Sequence, residues 1–298
     1  MKYGAIDIGT NAARLLIGEI STNDEGYTFV KKISYTRVPL RLGMDVFDKG
    51  KISTRKKEDF VKTIKAFKLI ADVFQVINIR ACATSAMREA ENSDEVKKAI
   101  KKETNVDIEI INGHEESKLL FSVFFLLEVD KKTPFIVIDV GGGSTEISIF
   151  KNGIRAASKS FKIGTIRMLK GKVDKDIWDE LGDWLKTNCK SKKKLKVFGT
   201  GGNINKAHKL LGKKDMKPVS VREMKGLFEE MSNMSVEKRI SKYQLKTDRA
   251  DVIVPAMDIY LKILDKIDAK KILVPKIGLS DGIIYSLHKQ HIDTIADN

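Results

Sequence analysis

The stretch Val137-Ile138-Asp139-Val140-Gly141-Gly142-Gly143-Ser144-Thr145-Glu146 decides how this chain is read. An apolar run delivers an aspartate, glycines follow in a polar loop, and a second apolar run, Ile147 to Phe150, leaves it. The same plan stands near the start as Ala5-Ile6-Asp7-Ile8-Gly9-Thr10-Asn11, followed by Leu15 to Ile20. The shared unit reads as strand, tight loop, strand, with one carboxylate at the bend. Glycine lets such a loop turn its N–H groups inward, and loops of this kind hold phosphate oxygens. Two of them, one in each half, imply an α/β protein of two related lobes gripping a phosphorylated ligand in a cleft between them.

The 298 residues suffice for two domains, each with its own core. No apolar stretch reaches the roughly 20 residues of a membrane span. Met1-Lys2-Tyr3 leads straight into the first strand, so no signal peptide is expected. Cys82 and Cys189 suggest buried thiols in a reducing cytoplasm. The 55 Lys and Arg outnumber the 40 Asp and Glu, giving a net charge of +15. The excess falls in clusters at Lys31-Lys32, Arg55-Lys56-Lys57, Lys97-Lys98 with Lys101-Lys102, and Lys190 with Lys192-Lys193-Lys194. Any one of these reads as a solvated helix face, but together they would concentrate a polyanion. Aromatics at 7% and the lack of an aromatic-rich RNA motif or Cys/His finger argue against nucleic acid as that polyanion.

Apolar spacing places a third strand at Tyr27 to Tyr35 and a helix near Thr54 with the stripe Phe60, Ile64, Phe67, Ala71 and Phe74. Val76 to Cys82 and Ile108 to Ile111 read as strands, with a helix from Ser93 through Lys101 between them. A helix from about Glu115 to Leu127 follows, then a polar joint at Asp130-Lys131-Lys132-Thr133-Pro134. The expected domains are therefore 1–128 and 129–298. In the second half, Ile177, Leu181 and Trp184 mark one helix, and Ser220 with Glu223 has capping-box spacing. Ile253, Met257, Tyr260, Leu264 and Ile267 mark a long helix. A strand Lys271 to Val274 and a closing helix from Ser280 end the chain, and that helix is expected to pack back on the first lobe.

Other phosphate motifs fail on spacing. Glu146 and Ile204 stand where a dinucleotide fingerprint needs glycine, and no Gly-Lys pair is followed by Ser or Thr. His114-Glu115-Glu116 lacks the second histidine of a zinc-protease helix, and no Ser sits in a G-x-S-x-G turn. Chemistry on phosphate without a covalent nucleophile remains.

These residues carry a resemblance. The segments Asp7 to Asn11 with Arg14-Leu15, Ala83 to Arg88, Asn112 to Glu116, Asp139 to Glu146, Gly199 to Gly202 and Arg249 to Ile253 occur in the order of the exopolyphosphatase / guanosine pentaphosphate phosphohydrolase family. That family lies in the actin-like, sugar-kinase ATPase superfamily. The resemblance implies two duplicated actin-like (ribonuclease H-like) lobes. Ala12 and Asn203 replace the usual Ser and Thr, and Ser280-Asp281 replaces a common Arg-Glu. The helical domain of longer members is expected to be absent.

The helix phase puts Glu116 on one face with Leu120, Val123 and Phe124, near a helix N-terminus that favours an ionised carboxylate. The residues alone leave a general base and a mere helix cap equally open. The resemblance makes Glu116 the base that activates water, and makes Asp139 and Glu146 the Mg²⁺ ligands. Arg88, after a strand end, reads as a fork for phosphate or as a surface pair with Glu89 or Glu91. Asp7 reads as a phosphate-orienting group or as an Asx-type turn. The expected phosphate-binding set is Asp7, Gly9, Thr10, Asn11, Arg14, Gly141, Gly142, Gly143, Ser144 and Thr145, while His114 and His208 are read as structural. The resemblance implies release of terminal phosphate from inorganic polyphosphate. The alternatives are hydrolysis of guanosine pentaphosphate and non-catalytic binding of polyphosphate or a guanosine penta- or tetraphosphate. A homodimer is left open.

Overall fold

The computed structural model describes residues 1–124, 126–127, 132–189 and 195–296. The expected domain boundary at 128/129, Asp130-Lys131 of the joint, and the cluster at Lys190 and Lys192 to Lys194 lie outside the described residues. The chain forms two compact units, Met1–Val129 with Ile277–Asn298, and Asp130–Lys276.

The first unit contains β1 (Tyr3–Ile8), β2 (Ala13–Thr22), β3 (Thr28–Val38), α1 (Leu42–Lys49), α2 (Thr54–Val73), β4 (Asn78–Ala83), α3 (Ser85–Glu89), α4 (Ser93–Thr104), β5 (Ile108–Ile110) and α5 (Gly113–Phe124). Its sheet runs β3-β2-β1-β4-β5, antiparallel for the first three strands and parallel thereafter. β1 is buried along its whole length, as a central strand covered on both faces must be. The α2 stripe buries Phe60, Ile64, Phe67 and Ala71. Helix α4 begins where expected but continues to Thr104, ending on Asn105 in the left-handed conformation.

The second unit contains β6 (Phe135–Val140), β7 (Thr145–Lys151), β8 (Ile154–Phe161), α6 (Thr165–Leu169), α7 (Ile177–Asn188), β9 (Lys196–Thr200), α8 (Gly202–Leu210), β10 (Val219–Ser220), α9 (Val221–Ser232), α10 (Val236–Tyr243), α11 (Thr247–Ala250), α12 (Ile253–Lys266) and β11 (Lys271–Ile272). Its sheet runs β8-β7-β6-β9 with the same directions, and a parallel bridge from Phe198 to Leu273 extends it. The order of strands thus repeats between the units. Helix α12 lies in its core, burying Ile253, Met257, Tyr260 and Leu264. Ser220 and Glu223 form the capping box of α9.

The last helix, α13 (Leu279–Ala296), packs in the first unit. Leu279, Ile283, Ile284 and Leu287 join Tyr3, Ala5, Leu16, Ile111 and Leu119 in one cluster. At Gly282 the helix comes so near α5 that a Cβ would stand 2.1 Å from the Leu119 carbonyl oxygen. Asp281 is buried beside Lys32 at 2.9 Å and accepts the Gly278 N–H. Burial pushes its carboxyl above the usual value, against the pull of Lys32.

Candidate functional site

Each glycine loop closes in the same way. Gly9 N–H donates to the Ala12 carbonyl at 3.1 Å, and Gly141 N–H donates to the Ser144 carbonyl at 2.9 Å. In both units the segment after the third strand then captures the loop's carbonyls. In the first, Gly43 N–H donates to Thr10 and Arg41 N–H to Asn11. In the second, Thr165 N–H donates to Gly141, Ile166 N–H to Gly142, and Arg167 Nε to Gly143. A trans peptide carries its N–H on the edge opposite its carbonyl. Drawing these carbonyls into the protein therefore turns the N–H groups of Asn11, Gly142, Gly143 and Ser144 the other way. Neither Gly9 nor Gly141 has a positive φ, so freedom to turn is not what glycine supplies there. Space is the reason: a Cβ on Gly141 would lie 3.1 Å from the Ser144 carbonyl, and one on Gly164 would strike Gly142 and Gly143 at 2.5 Å.

The loops differ in the residues that face each other beside them. In the first unit Asp7 on β1 opposes Arg14 on β2, and Arg14 Nη1 lies 2.7 Å from Asp7 Oδ2. At the matching place in the second unit Asp139 opposes Glu146. Opposed residues of an antiparallel pair project on the same face, so one unit presents an ion pair and the other two carboxylates. Glu146 is buried, and its Oε1 accepts from Ser144 Oγ at 2.7 Å and Ser160 Oγ at 2.8 Å. Beneath them Tyr260 donates to the Thr200 carbonyl and accepts from Val140 N–H at 3.4 Å. Burial first, then Asp139 and Glu146, push its hydroxyl well above the ordinary value, so it stays neutral.

Among the described residues no three His, Cys, Asp or Glu side chains gather as a metal site. The donors at Asp139 and Glu146 are carboxylates alone, which suits Mg²⁺. That ion takes one or two protein carboxylates and fills the rest of its octahedron with water and phosphate oxygens.

Glu116 and Arg88 come together within the first unit. The Asn112 side chain caps α5 through Glu115 N–H at 2.9 Å. Arg88, on the short helix after β4, donates to the Ile111 carbonyl and lies 3.4 Å from Glu116 Oε2. The alternative surface pairs of Arg88 with Glu89 or Glu91 are not made: Glu89 accepts from Ser85 Oγ, and Glu91 faces Gly50. Glu115 instead meets Arg80 at 3.0 Å, which also holds Glu109. The two adjacent glutamates are thus sorted, one to Arg80 and one to Arg88. His208 is buried with Nε2 against the Lys217 carbonyl.

Ser160, Tyr260 and Thr200 carry no local sequence signal of these contacts. Tyr260 was visible only as one apolar stripe position, and nothing local to Ser160 signals its reach across the sheet to Glu146. Several basic clusters are engaged in pairs: Lys31 with Glu19, Lys32 with Asp281, Lys57 with Glu95, and Lys101 with Asp107. Among the described residues no helix is long and apolar enough to cross a membrane.

A family model described as the Ppx/GppA phosphatase family matches residues 20–291. A bifunctional 3-dehydroquinate synthase/phosphatase of Fusobacterium nucleatum is 29% identical over 294 residues, covering 88% of this chain and 43% of that protein. Exopolyphosphatase 1 of Mycobacterium tuberculosis is 33% identical over 148 residues, covering 50% of this chain and 42% of that protein. The chain spans less than half the length of these two relatives. An exopolyphosphatase structure from Cytophaga hutchinsonii superposes with a TM-score of 0.81 at 23% identity, covering 96% of this chain and 97% of the other. The two chains share one α/β fold over nearly their whole lengths.

Proposed function

The chain belongs to the Ppx/GppA phosphatase family, and from that premise we propose that it is a phosphohydrolase releasing terminal orthophosphate from inorganic polyphosphate. The observation that carries the reading is the pairing of Glu116 with Arg88 at the start of α5. A carboxylate beside a fixed guanidinium stays ionised, and Arg88 has donors to spare for phosphate oxygens. Glu116 orients a water and takes its proton as the water oxygen bonds to the terminal phosphorus. The anhydride P–O bond breaks, and its bridging oxygen leaves with the chain shortened by one unit. The N–H groups of the glycine loops meet phosphate oxygens. Asp139 and Glu146 would hold Mg²⁺, which supplies charge neutralisation when bound. This division between positioning and electrostatics is the general pattern of phosphoryl transfer.

The test is phosphate release from long polyphosphate and from guanosine pentaphosphate, side by side, with and without Mg²⁺. Mg²⁺-dependent release from polyphosphate in excess supports the proposal. Preference for guanosine pentaphosphate moves the substrate to the alarmone, and no release from either marks a binding protein.

A further inference from the structure

Thr200 is fully buried at the end of β9, and its Oγ1 has no hydrogen-bond partner. A buried hydroxyl left unsatisfied bears its full desolvation penalty, and such a group in a native fold calls for a water or an ion. Its place says which. Thr200 stands beside Asp139 in the parallel pairing of β9 with β6, and Asp139 stands opposite Glu146 in the antiparallel pairing of β6 with β7. Register partners share a face, so the Thr200 side chain lies on the same face as both carboxylates. The neighbouring residues Ile138 and Gly199 face the other way, toward Tyr260, whose ring would lie 3.2 Å from a Cβ on Gly199.

The loop after Thr200 is shaped to the same end. Gly201 has φ +109°, and a Cβ there would stand 2.9 Å from Asp139 Oδ1 and 3.2 Å from the Val140 carbonyl. Asp139 Oδ1 therefore leans toward the residue that follows Thr200, and the missing side chain keeps that approach open. A larger residue would fill the space that the carboxylate and its ligand need.

We propose that the Thr200 hydroxyl is a binding residue for the divalent cation of the second unit, accepting a hydrogen bond from a water of the ion's hydration shell. The proposal rests on the reading of Asp139 and Glu146 as the ion's carboxylates. Mg²⁺ with two carboxylate ligands keeps several waters, and each needs an acceptor of its own. Thr200 Oγ1 supplies one at the floor of the site, and its own hydrogen remains available for Asp139 or a phosphate oxygen. Groups that orient a metal's ligands in this way typically change affinity by about 10- to 100-fold when removed.

The experiment measures Mn²⁺ binding to the full chain by electron paramagnetic resonance, and the Mg²⁺-induced rise in Tm, for wild type, Thr200→Val, Thr200→Ser and Asp139→Asn. Thr200→Val is expected to bind Mn²⁺ roughly 10-fold more weakly and to lose most of the Mg²⁺-induced rise. Its Tm without metal should equal or exceed that of wild type, because the valine removes an unsatisfied group. Thr200→Ser should behave as wild type. Equal Mn²⁺ affinity in wild type and Thr200→Val, with Asp139→Asn weakened, overturns the role of Thr200 and leaves the carboxylate site standing. Equal affinity in wild type and Asp139→Asn overturns the carboxylate site itself, and the proposal with it. If Thr200→Val unfolds, Thr200→Ser and Thr200→Ala decide: loss in both, or in neither, refutes the hydroxyl's part.

Discussion

Arg88 Nη1 lies 3.4 Å from Glu116 Oε2 while donating to the Ile111 carbonyl, so one guanidinium joins the end of β5 to the first turn of α5. That contact holds the carboxylate in place. Glu116→Gln keeps the shape and removes the base. Turnover of polyphosphate should fall by about two to four orders of magnitude, the range for losing a general base, with substrate binding retained. Glu115→Gln, whose carboxylate is occupied by Arg80, should be far milder. Retention of more than about a tenth of wild-type turnover in Glu116→Gln would contradict the role given to it.

The +15 charge carries a prediction about salt. Contacts between lysines and a polyanion release condensed counterions, so affinity falls with salt in proportion to the number of contacts. Affinity for long polyphosphate should drop more steeply than affinity for tri- or tetraphosphate. Binding titrations at several salt concentrations read this directly, and equal slopes would remove any role for lysines outside the catalytic residues. Lys32, Lys57 and Lys101 are engaged by carboxylates, so the slope should be modest for so basic a chain.

Gly282 sets how closely α13 approaches α5. An alanine there would place its methyl 2.1 Å from the Leu119 carbonyl oxygen, and backbone is the atom that must move. Gly282→Ala is expected to destabilise the first unit by about 1–3 kcal/mol, as overpacking does. Urea unfolding measures it, and an unchanged midpoint would show that α13 has room to shift.

The capping box of α9 predicts a pH dependence. Lys213 first, then the Ser220 N–H and hydroxyl, hold the Glu223 carboxyl down at about 2. The value is lower folded than unfolded, so the stability it brings is present at neutral pH. That stability is lost as pH falls from the ordinary carboxylate range toward about 2. Ser220→Ala should cost about 1 kcal/mol at pH 7. Glu223→Ala should be less stable than wild type at pH 7, with the difference closing in acid. A difference that persisted at low pH would assign the effect to packing.

Both glycine loops, the capping box and the stripes of α2 and α12 were legible because each is a local pattern. Less could be read wherever strand register or distant pairing decides. Asp7 and Asp139 look alike in the chain, yet one faces Arg14 and the other faces Glu146, a difference that only pairing brings out. Lys32 and Asp281 are separated by 249 positions. Thr200 sits inside the Gly199 to Gly202 motif, but a hydroxyl's lack of a partner is a property of the packed site. Arg88 stands as a cation after a strand, and its contact with Glu116 goes with its hydrogen bond to the Ile111 carbonyl just before α5.

The return of α13 has a consequence for how the chain is made. Tyr3, Ala5 and Leu16 leave the ribosome early, but their cluster is completed by Leu279, Ile283, Ile284 and Leu287. The whole of Asp130–Lys276, a compact unit in its own right, emerges in between. Domains generally fold as units during synthesis. The second unit can therefore be finished while the first still waits for α13. During that wait it is the nascent first unit, with this apolar cluster still incomplete, that chaperones and proteases would meet.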